Sequence, residues 1–395
     1  MISNTRLAWL ISYIATASIS AAIITPALPI IALQYHLSQG AVEWLVTAFL
    51  IGYVIGQLIY APLANRLGRV TALRIGLTIN LAGILVCIAA IYSQEYWLLV
   101  TGRLVSALGA AGGLACTLML INEWLPETQR RAAMAYSILA FTLGIGIAVT
   151  LGGFITEYGQ WAWCFGVLLV HGVSLLAGTI WLRETLTEVQ PINFPSIIQG
   201  YRRVLASPML LLFSVVVGFC SAIGYCFSAA GPQIAEQFLH LSAAGYGWWN
   251  LLNMAGMLGG GLWARRLMLN MAAKQVVYIG LAGCALGLCN LIVMVIHHST
   301  SALWFFSSST VLYLFGGLLF AGGSFQASSA IMDKGNGSAM LSFINMSTAT
   351  LSVMVMGYLS RNPLLAFIEI LSVLWIVITV CLLTHVSQQA VELQK

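Results

Sequence analysis

The feature that most constrains this chain is the regular recurrence of apolar runs, separated by short segments that carry the charges, Gly and Pro. Each run is roughly 20 residues long, which is enough for a helix to cross a hydrocarbon core of about 30 Å. About twelve such runs would occupy roughly 240 residues, in keeping with a hydrophobic fraction of 60% in 395 residues. We therefore predict an all-α polytopic membrane protein with twelve transmembrane helices.

The composition excludes several other classes of protein. Only 7% of the residues are charged, whereas soluble domains carry about 25%. Such a chain cannot cover a water-facing surface, and it lacks the charge expected of a disordered protein or a nucleic-acid-binding protein. Its first apolar run extends to Leu33, too long for a signal-peptide core, so we expect it to be a retained helix.

The cysteines indicate packing and not chemistry. All eight lie inside apolar runs, where we expect buried free thiols in place of disulfides or metal ligands. They are Cys87, Cys116, Cys164, Cys220, Cys226, Cys284, Cys289 and Cys381.

The hydropathy breaks place the twelve spans and divide them into two halves. We predict spans at residues 7–33, 44–63, 72–92, 97–121, 132–155, 161–182, 209–230, 246–264, 275–296, 302–326, 339–358 and 364–384. Residues 1–182 then form an N-terminal six-helix bundle, 183–208 a polar cytoplasmic linker with a short interfacial helix at 197–205, and 209–395 a C-terminal six-helix bundle. Six-helix repeats around a central site are typical of alternating-access transporters.

The basic residues predict how the chain is oriented in the membrane. With both termini in the cytoplasm, only Arg361 falls on the outer side, and Arg103 lies within the fourth span. The cytoplasmic side then holds Arg6, Arg66, Arg69, Arg74, Arg130, Arg131, Arg183, Arg202, Arg203, Arg265, Arg266, Lys274, Lys334 and Lys395. We expect a multi-pass monomer in the inner, cytoplasmic membrane of a bacterium.

The loop between the second and third spans carries a recognisable pattern. The stretch GQLIYAPLANRLGRVTALRIG resembles the loop signature Gly-x-x-x-Asp-Arg-x-Gly-Arg-Arg of the major facilitator superfamily. Pro62, Leu63, Arg66, Gly68 and Arg69 match it, whereas Ala61, Asn65 and Val70 depart from it.

Two further stretches resemble patterns of drug antiporters. In GRLVSALGAAGG, on the fourth span, Arg103, Gly109, Ala110 and Ala111 agree with Arg-x-x-Gln-Gly-x-Gly-Ala-Ala, while Ser106 and Ala107 do not. In LGIGIAVTLGGF, on the fifth span, Gly152 and Gly153 agree with Gly-Pro-x-x-Gly-Gly, while Ala148 and Val149 do not.

Together with Pro26-Ala27-Leu28-Pro29 in the first span, these stretches resemble the bicyclomycin-resistance type of drug/proton antiporter. The resemblance covers all twelve spans in topology and is motif-specific over residues 20–155. It implies two helical bundles that rock about a central path lined by helices 1, 4, 7 and 10. In that family an acidic residue usually lies four positions before the first Pro of the helix 1 motif, and here that position is Ala22.

Arg103 is the residue that the sequence singles out. A guanidinium within a span is costly unless it is paired, faces water or reaches the interface by snorkelling. The resemblance implies a place on the central path and a carboxylate partner on helix 1, which has none. An anionic substrate could pair with the planar guanidinium instead.

Few carboxylates are placed to carry a proton. Glu43 precedes the second span and Glu369 lies in the twelfth, so coupling, if present, is expected to use Arg103 with one of them. The plainer interpretations are a first-turn anion favoured by the helix dipole for Glu43 and an interfacial residue for Glu369.

Uncharged polar and aromatic residues recur on the inner spans, where they predict either a substrate path or helix–helix hydrogen bonding. The path candidates are Ser20, Tyr53, Gln57, Tyr136, Tyr225, Asn253, Tyr313 and Asn345. A second set, Asn65, Arg66, Gly68 and Arg69, is expected either to fix topology at the headgroups or, by the resemblance, to form a gating loop.

The leading hypothesis is proton-coupled efflux of amphipathic drugs or metabolites by alternating access. The alternative is a carrier of an anionic, polycarboxylate or siderophore-like solute, with Arg103 as counter-charge and weak or no proton coupling. A membrane sensor or scaffold without transport is a third possibility. We expect no enzyme activity, cofactor, metal or nucleic-acid partner; the expected partners are a small-molecule substrate, lipid and protons. No Walker-type glycine loop is present to bind ATP.

Overall fold

The computed structural model describes residues 3–189, 193–332 and 334–392, which form helices and no strand. The first nine helices are α1 (Asn4–Ser12), α2 (Ala15–Ala22), α3 (Leu28–Gln34), α4 (Gln39–Val42), α5 (Trp44–Leu67), α6 (Arg69–Ser93), α7 (Tyr96–Trp124), α8 (Glu127–Tyr158) and α9 (Trp163–Gly178). The others are α10 (Phe194–Leu205), α11 (Pro208–Gln237), α12 (Ala243–Leu267), α13 (Ala273–Ile296), α14 (Ala302–Ser329), α15 (Lys334–Leu359) and α16 (Pro363–Glu392).

The helices confirm an all-α polytopic membrane protein. Over the described residues, eleven stretches are long and apolar enough to cross a bilayer. The predicted eighth span is also a continuous helix, α12, whose 25 residues would extend about 37 Å. It is not among the eleven. Its polar residues, which include Asn250 and Asn253, and its many glycines make it less hydropathic than the other spans.

The first span is not the single helix that hydropathy predicts. α2 ends at Ala22, a 3₁₀ turn follows at Thr25–Ala27, and α3 begins at Leu28. Pro26 and Pro29 cause this break because neither has an N–H to continue the helical ladder. The Thr25 hydroxyl donates to the Ala22 carbonyl at 2.9 Å.

The described chain divides into two compact units. Unit 1 comprises Met1–Phe194 and Ala235–Leu251, and unit 2 comprises Pro195–Ile234 and Leu252–Lys395. The division at Phe194 falls inside the predicted linker 183–208, and α10 occupies the second part of that linker.

The segment Ala235–Leu251 belongs to unit 1, although it lies in the predicted C-terminal bundle. Its place in unit 1 has a physical basis in contacts with α8. The Glu157 carboxylate accepts from the Ala244 N–H at 2.7 Å, and the Thr150 hydroxyl donates to the Gly247 carbonyl at 3.2 Å.

Within unit 1, α7 packs closely against both α5 and α6. A Cβ at Gly52 of α5 would overlap the Leu104 carbonyl of α7, and one at Gly109 of α7 would overlap the Asn80 amide of α6. The Asn80 side chain also donates to the Ser106 carbonyl at 2.8 Å. Small residues therefore allow the backbones to approach, as in other membrane helix pairs.

Unit 2 has an aromatic core. The Phe227 ring of α11 stacks with Phe305 at 5.9 Å and meets Phe306 edge-on at 6.1 Å, both on α14. Phe367 of α16 also meets Phe227 edge-on at 6.1 Å. Ring contacts therefore help to fix the three helices together.

All eight cysteines are free, as predicted. Six are buried, but Cys289 and Cys381 are exposed, so the prediction of burial was wrong for these two. Each lies on a face of a membrane-crossing helix that no other described helix covers. A thiol can face lipid there because it behaves as a small apolar group.

Candidate functional site

Arg103 of α7 is one of the two charged side chains buried within the described residues, with 1% of its surface exposed. All three of its guanidinium nitrogens donate to backbone carbonyls. Nη1 donates to Ser20 at 2.6 Å, Nη2 to Ala21 at 3.3 Å, and Nε to Leu45 at 3.3 Å. The guanidinium therefore joins α7 to α2 and to the start of α5.

The break in the first span explains why two of these carbonyls are available. Ser20 and Ala21 lie in the last turn of α2, where helical carbonyls lack an amide partner further along the same helix. Arg103 supplies charged donors to them, which are stronger than neutral ones. Arg103 of α7 is thus bonded directly to the break that the helix 1 proline motif creates.

Phe49 of α5 completes the surroundings of this arginine. The Arg103 Cζ atom lies 4.4 Å from the centre of the Phe49 ring, a cation–π contact worth about 0.5–2 kcal/mol. Within the part of the chain that the structure describes, Arg103 forms no ion pair with the carboxylate that the resemblance implies. Main-chain oxygens and one aromatic face satisfy it instead.

The two carboxylates predicted to carry a proton differ in their surroundings. Glu43 is 1% exposed and precedes the first residue of α5. Its Oε1 accepts from Gln39 Nε2 at 3.4 Å, and its Oε2 has no hydrogen-bond partner. Glu369 of α16 is exposed. Neither forms an ion pair with Arg103.

The other path candidates of unit 1 divide in the same way. Ser20, Tyr53 and Gln57 are buried, and the carbonyl of Ser20 is one of the acceptors of Arg103. Tyr136 of α8 is 53% exposed. The structure thus brings Ser20 to Arg103, whereas Tyr136 lies on the outside of the unit.

In unit 2, Asn253 is the best-connected of the predicted path residues. Its Oδ1 accepts from the Ser309 hydroxyl at 2.8 Å and from the Thr310 hydroxyl at 3.2 Å. These bonds fix α12 to α14, as the helix-packing interpretation predicts.

The remaining candidates of unit 2 are less constrained. The hydroxyl of Tyr313 donates to the Gly224 carbonyl at 3.5 Å, and Tyr225 beside it is half-buried. Asn345 of α15 is buried, but its Oδ1 has no hydrogen-bond partner. A buried amide oxygen that accepts no hydrogen bond is unusual, and a polar ligand could supply the missing donor.

The predicted gating loop is built around Gly68, whose φ of +103° favours glycine. The Glu184 carboxylate, which follows α9, accepts from the backbone N–H groups of Arg69 at 2.8 Å and Val70 at 3.0 Å. Burial alone would raise the pKa of Glu184, but the backbone hydrogen bonds outweigh it and lower the pKa. A carboxylate at the start of α6 is also favoured by the helix dipole.

Arg69 forms an ion pair with Glu123. Its Nη2 lies 2.7 Å from Oε1 of Glu123, at the end of α7, and its Nε donates to Oε2 at 2.9 Å. Arg66 is exposed and Asn65 half-buried. The carboxylates of this loop therefore come from Glu123 and Glu184 and not from position 65.

Sequence reasoning missed Glu123 and Glu184. Both follow an apolar run directly and lie on the predicted cytoplasmic side, opposite the arginines of the loop. A carboxylate placed among that many arginines is a signal that could have been used.

A separate cleft of about 300 Å³ lies within unit 1 and is lined by Ser3, Thr5, Arg6, Trp9, Trp124, Trp181 and Leu182. None of the predicted path residues lines it. Over the described residues, no three His, Cys, Asp or Glu side chains lie close enough together to hold a metal ion.

The sequence model of the Major Facilitator Superfamily matches residues 10–355 of this chain. The chain belongs to the major facilitator superfamily. Membership confirms the resemblance drawn from the loop and helix motifs, and the matched residues run from within α1 to within α15.

Curated proteins similar to this chain include one named for drug resistance and one named for sugar transport. Multidrug resistance protein D of Escherichia coli K12 is 23% identical over 256 residues, which cover 61% of this chain and 63% of that protein. The galactose-proton symporter of the same organism is 29% identical over 170 residues, 41% of this chain and 34% of that protein. The chain thus spans less than two thirds of the length of either relative.

Solved structures confirm the superfamily fold. The crystal structure of a D-xylose-proton symporter superposes with a TM-score of 0.75 over 95% of this chain and 97% of that one, at 15% identity. At such low identity the likeness concerns the fold alone.

Proposed function

We propose that this chain is a secondary transporter that exports amphipathic drugs or metabolites in exchange for protons by alternating access. We further propose that it is a monomer in a bacterial inner membrane, with both termini in the cytoplasm. The distribution of arginine and lysine supports that orientation.

The state of Arg103 is the observation that carries the proposal. Its guanidinium is buried and donates from all three nitrogens to carbonyls of Ser20, Ala21 and Leu45. With three of its N–H groups bonded to main-chain carbonyls, the guanidinium is held in place by the protein itself. The structure therefore gives the alternative, a polycarboxylate or siderophore-like carrier, no direct support.

The remaining polar candidates are uncharged. Gln57, Asn253 and Asn345 are buried amides, and Tyr53 and Tyr313 add hydroxyl groups and rings. Apolar surroundings with a few polar groups suit bulky amphipathic molecules better than highly charged ones. We assign these residues, with Ser20 and Tyr225, to the substrate path, and Arg103 to positioning the helix 1 break.

The comparisons support efflux without excluding other substrates. Multidrug resistance protein D is named for drug resistance, which agrees with the antiporter-like motifs of α7 and α8. The galactose-proton symporter is named for a sugar. Both fit a transporter and not an enzyme.

Uptake into acid-loaded vesicles tests the proposal. Full-length protein in phospholipid vesicles should accumulate ethidium when the lumen is acidic, and should accumulate neither citrate nor D-xylose. Protein-free vesicles provide the baseline. Accumulation of citrate or D-xylose in place of ethidium would contradict the proposal.

A matched pair of variants makes the same assay specific. Asn253→Ala removes a buried amide of the proposed path, and we expect ethidium accumulation to fall. Asn270→Ala removes an exposed amide between α12 and α13, and we expect accumulation like that of the wild type. Equal loss in both variants would count against a path through Asn253.

A further inference from the structure

Glu43 is the one buried carboxylate among those whose side chains the structure describes. The chain has eleven Asp and Glu residues, of which Asp333 and Glu392 lie outside the described side chains. Of the other nine, Glu43 is 1% exposed and the rest are exposed. Glu369, the rival candidate of the sequence, is in the exposed group.

The hydrogen bonding of Glu43 suits a carboxylic acid better than a carboxylate. Its Oε2 has no partner, and its Oε1 has a single long bond of 3.4 Å from Gln39. A buried negative charge requires a counter-charge or several donors. Glu43 takes no part in the ion pair that the described residues form, which joins Arg69 to Glu123. Binding a proton at Glu43 would remove the unsatisfied charge.

Among the described residues, the neighbouring elements place no cationic side chain in an ion pair with Glu43. α3 ends beside Tyr35, whose buried hydroxyl also lacks a partner, and exposed His36 follows it. α7 contributes Tyr96, which donates to the Ala41 carbonyl and lies 5.8 Å from the Tyr35 ring. Exposed Glu95 precedes Tyr96, and Arg103 lies seven residues further on, about 10 Å along the helix.

One turn of α5 connects Glu43 to Arg103. Arg103 donates to the carbonyl of Leu45, two residues after Glu43, and its guanidinium lies over Phe49 one turn later. A charge appearing on Glu43 must be solvated or must attract Arg103. Either response would shift the first turn of α5 and, through Arg103, the carbonyls at the helix 1 break.

We propose that Glu43 takes up and releases the coupled proton of this transporter, in the absence of an acidic residue at Ala22. The step interconverts carboxylate plus proton and the neutral carboxylic acid, with no other bond changed. This inference rests on the proposed proton-coupled function, so its test includes a readout that needs no substrate.

Infrared spectroscopy of full-length protein in lipid nanodiscs gives that readout. Acidification of the wild type should produce a protonated-carboxyl band that Glu43→Gln abolishes. Glu43→Asp, which keeps a carboxyl group, should retain a band. Glu95→Gln, an exposed neighbour, should behave as wild type. Persistence of the full band in Glu43→Gln, or loss of the band in Glu369→Gln alone, would overturn the proposal.

Ethidium uptake by vesicles with an acidic lumen separates the two claims. If the proposal holds, Glu43→Gln loses gradient-driven accumulation while eluting as a folded protein in size-exclusion chromatography. Accumulation by Glu43→Gln equal to wild type would overturn the role of Glu43 and leave the proposed function intact. If the wild type moves no ethidium, the proposed function fails, and the infrared band alone decides whether Glu43 binds a proton.

Discussion

A guanidinium inside a membrane protein needs acceptors, and at Arg103 these acceptors belong to the main chain. Leaving the charge unpaired at the bilayer centre would cost about 2.5–3.5 kcal/mol or more. The guanidinium donates to the carbonyls of Ser20, Ala21 and Leu45, and the first two lie at the helix 1 break, so the arginine and the break stabilise each other.

At this residue we predict that Arg103→Ala lowers the stability of the protein. The substitution removes the charged donor of the Ser20 and Ala21 carbonyls at the helix 1 break, a loss on the order of 3 kcal/mol. Arg103→Lys should be intermediate, because one ammonium group cannot reproduce three bonds that diverge from a planar fork. Thermal unfolding in detergent measures both, with exposed Arg66→Ala as the matched control. An unchanged unfolding midpoint in Arg103→Ala would contradict the proposal that Arg103 stabilises the helix 1 break.

The sequence located Arg103 but could not identify its partners. A charged residue within an apolar span is visible in any hydropathy analysis. Its acceptors are backbone oxygens, however, and two of them, on Ser20 and Ala21, become available only where Pro26 and Pro29 break the helix. Glu43 was likewise visible as a candidate, but its burial and its unpartnered oxygen depend on how α3, α4 and α7 pack.

Among the elements, the turn between α5 and α6 shows the same dependence on distant residues. Gly68 reverses the chain with a positive φ, and α6 begins at once, so its first amides need an outside acceptor. Glu184 supplies it from more than a hundred residues away. The loop motif predicted the turn, whereas the two carboxylates that hold it come from the ends of other helices.

For this element we predict a pH-dependent effect of Glu184→Gln. The folded-state pKa of Glu184 is lowered, so its stabilisation is present above the unfolded pKa of about 4.3 and is lost as the pH falls below it. The unfolding midpoint should therefore differ between wild type and Glu184→Gln near neutral pH, and the difference should shrink at acidic pH. Exposed Glu188→Gln is the control. A difference that grew on acidification would reverse the assigned sign.

At the scale of the whole molecule, the apolar runs predicted the class correctly, and the loop and helix motifs predicted the superfamily. Periodic hydropathy is a strong signal because lipid leaves few other choices for a spanning chain. Two features escaped it. The break in the first span depends on prolines within an otherwise apolar run, and the membership of Ala235–Leu251 in unit 1 depends on contacts with α8 such as that of Glu157.

Proton release on substrate binding tests the central claim, that this chain is a drug/proton antiporter, most directly. Tetraphenylphosphonium is added to the purified full-length protein in weakly buffered detergent solution with a pH-indicator dye. We predict release of protons by the wild type and by Glu95→Gln, and none by Glu43→Gln. Binding of tetraphenylphosphonium by the wild type with no proton released would contradict the claim.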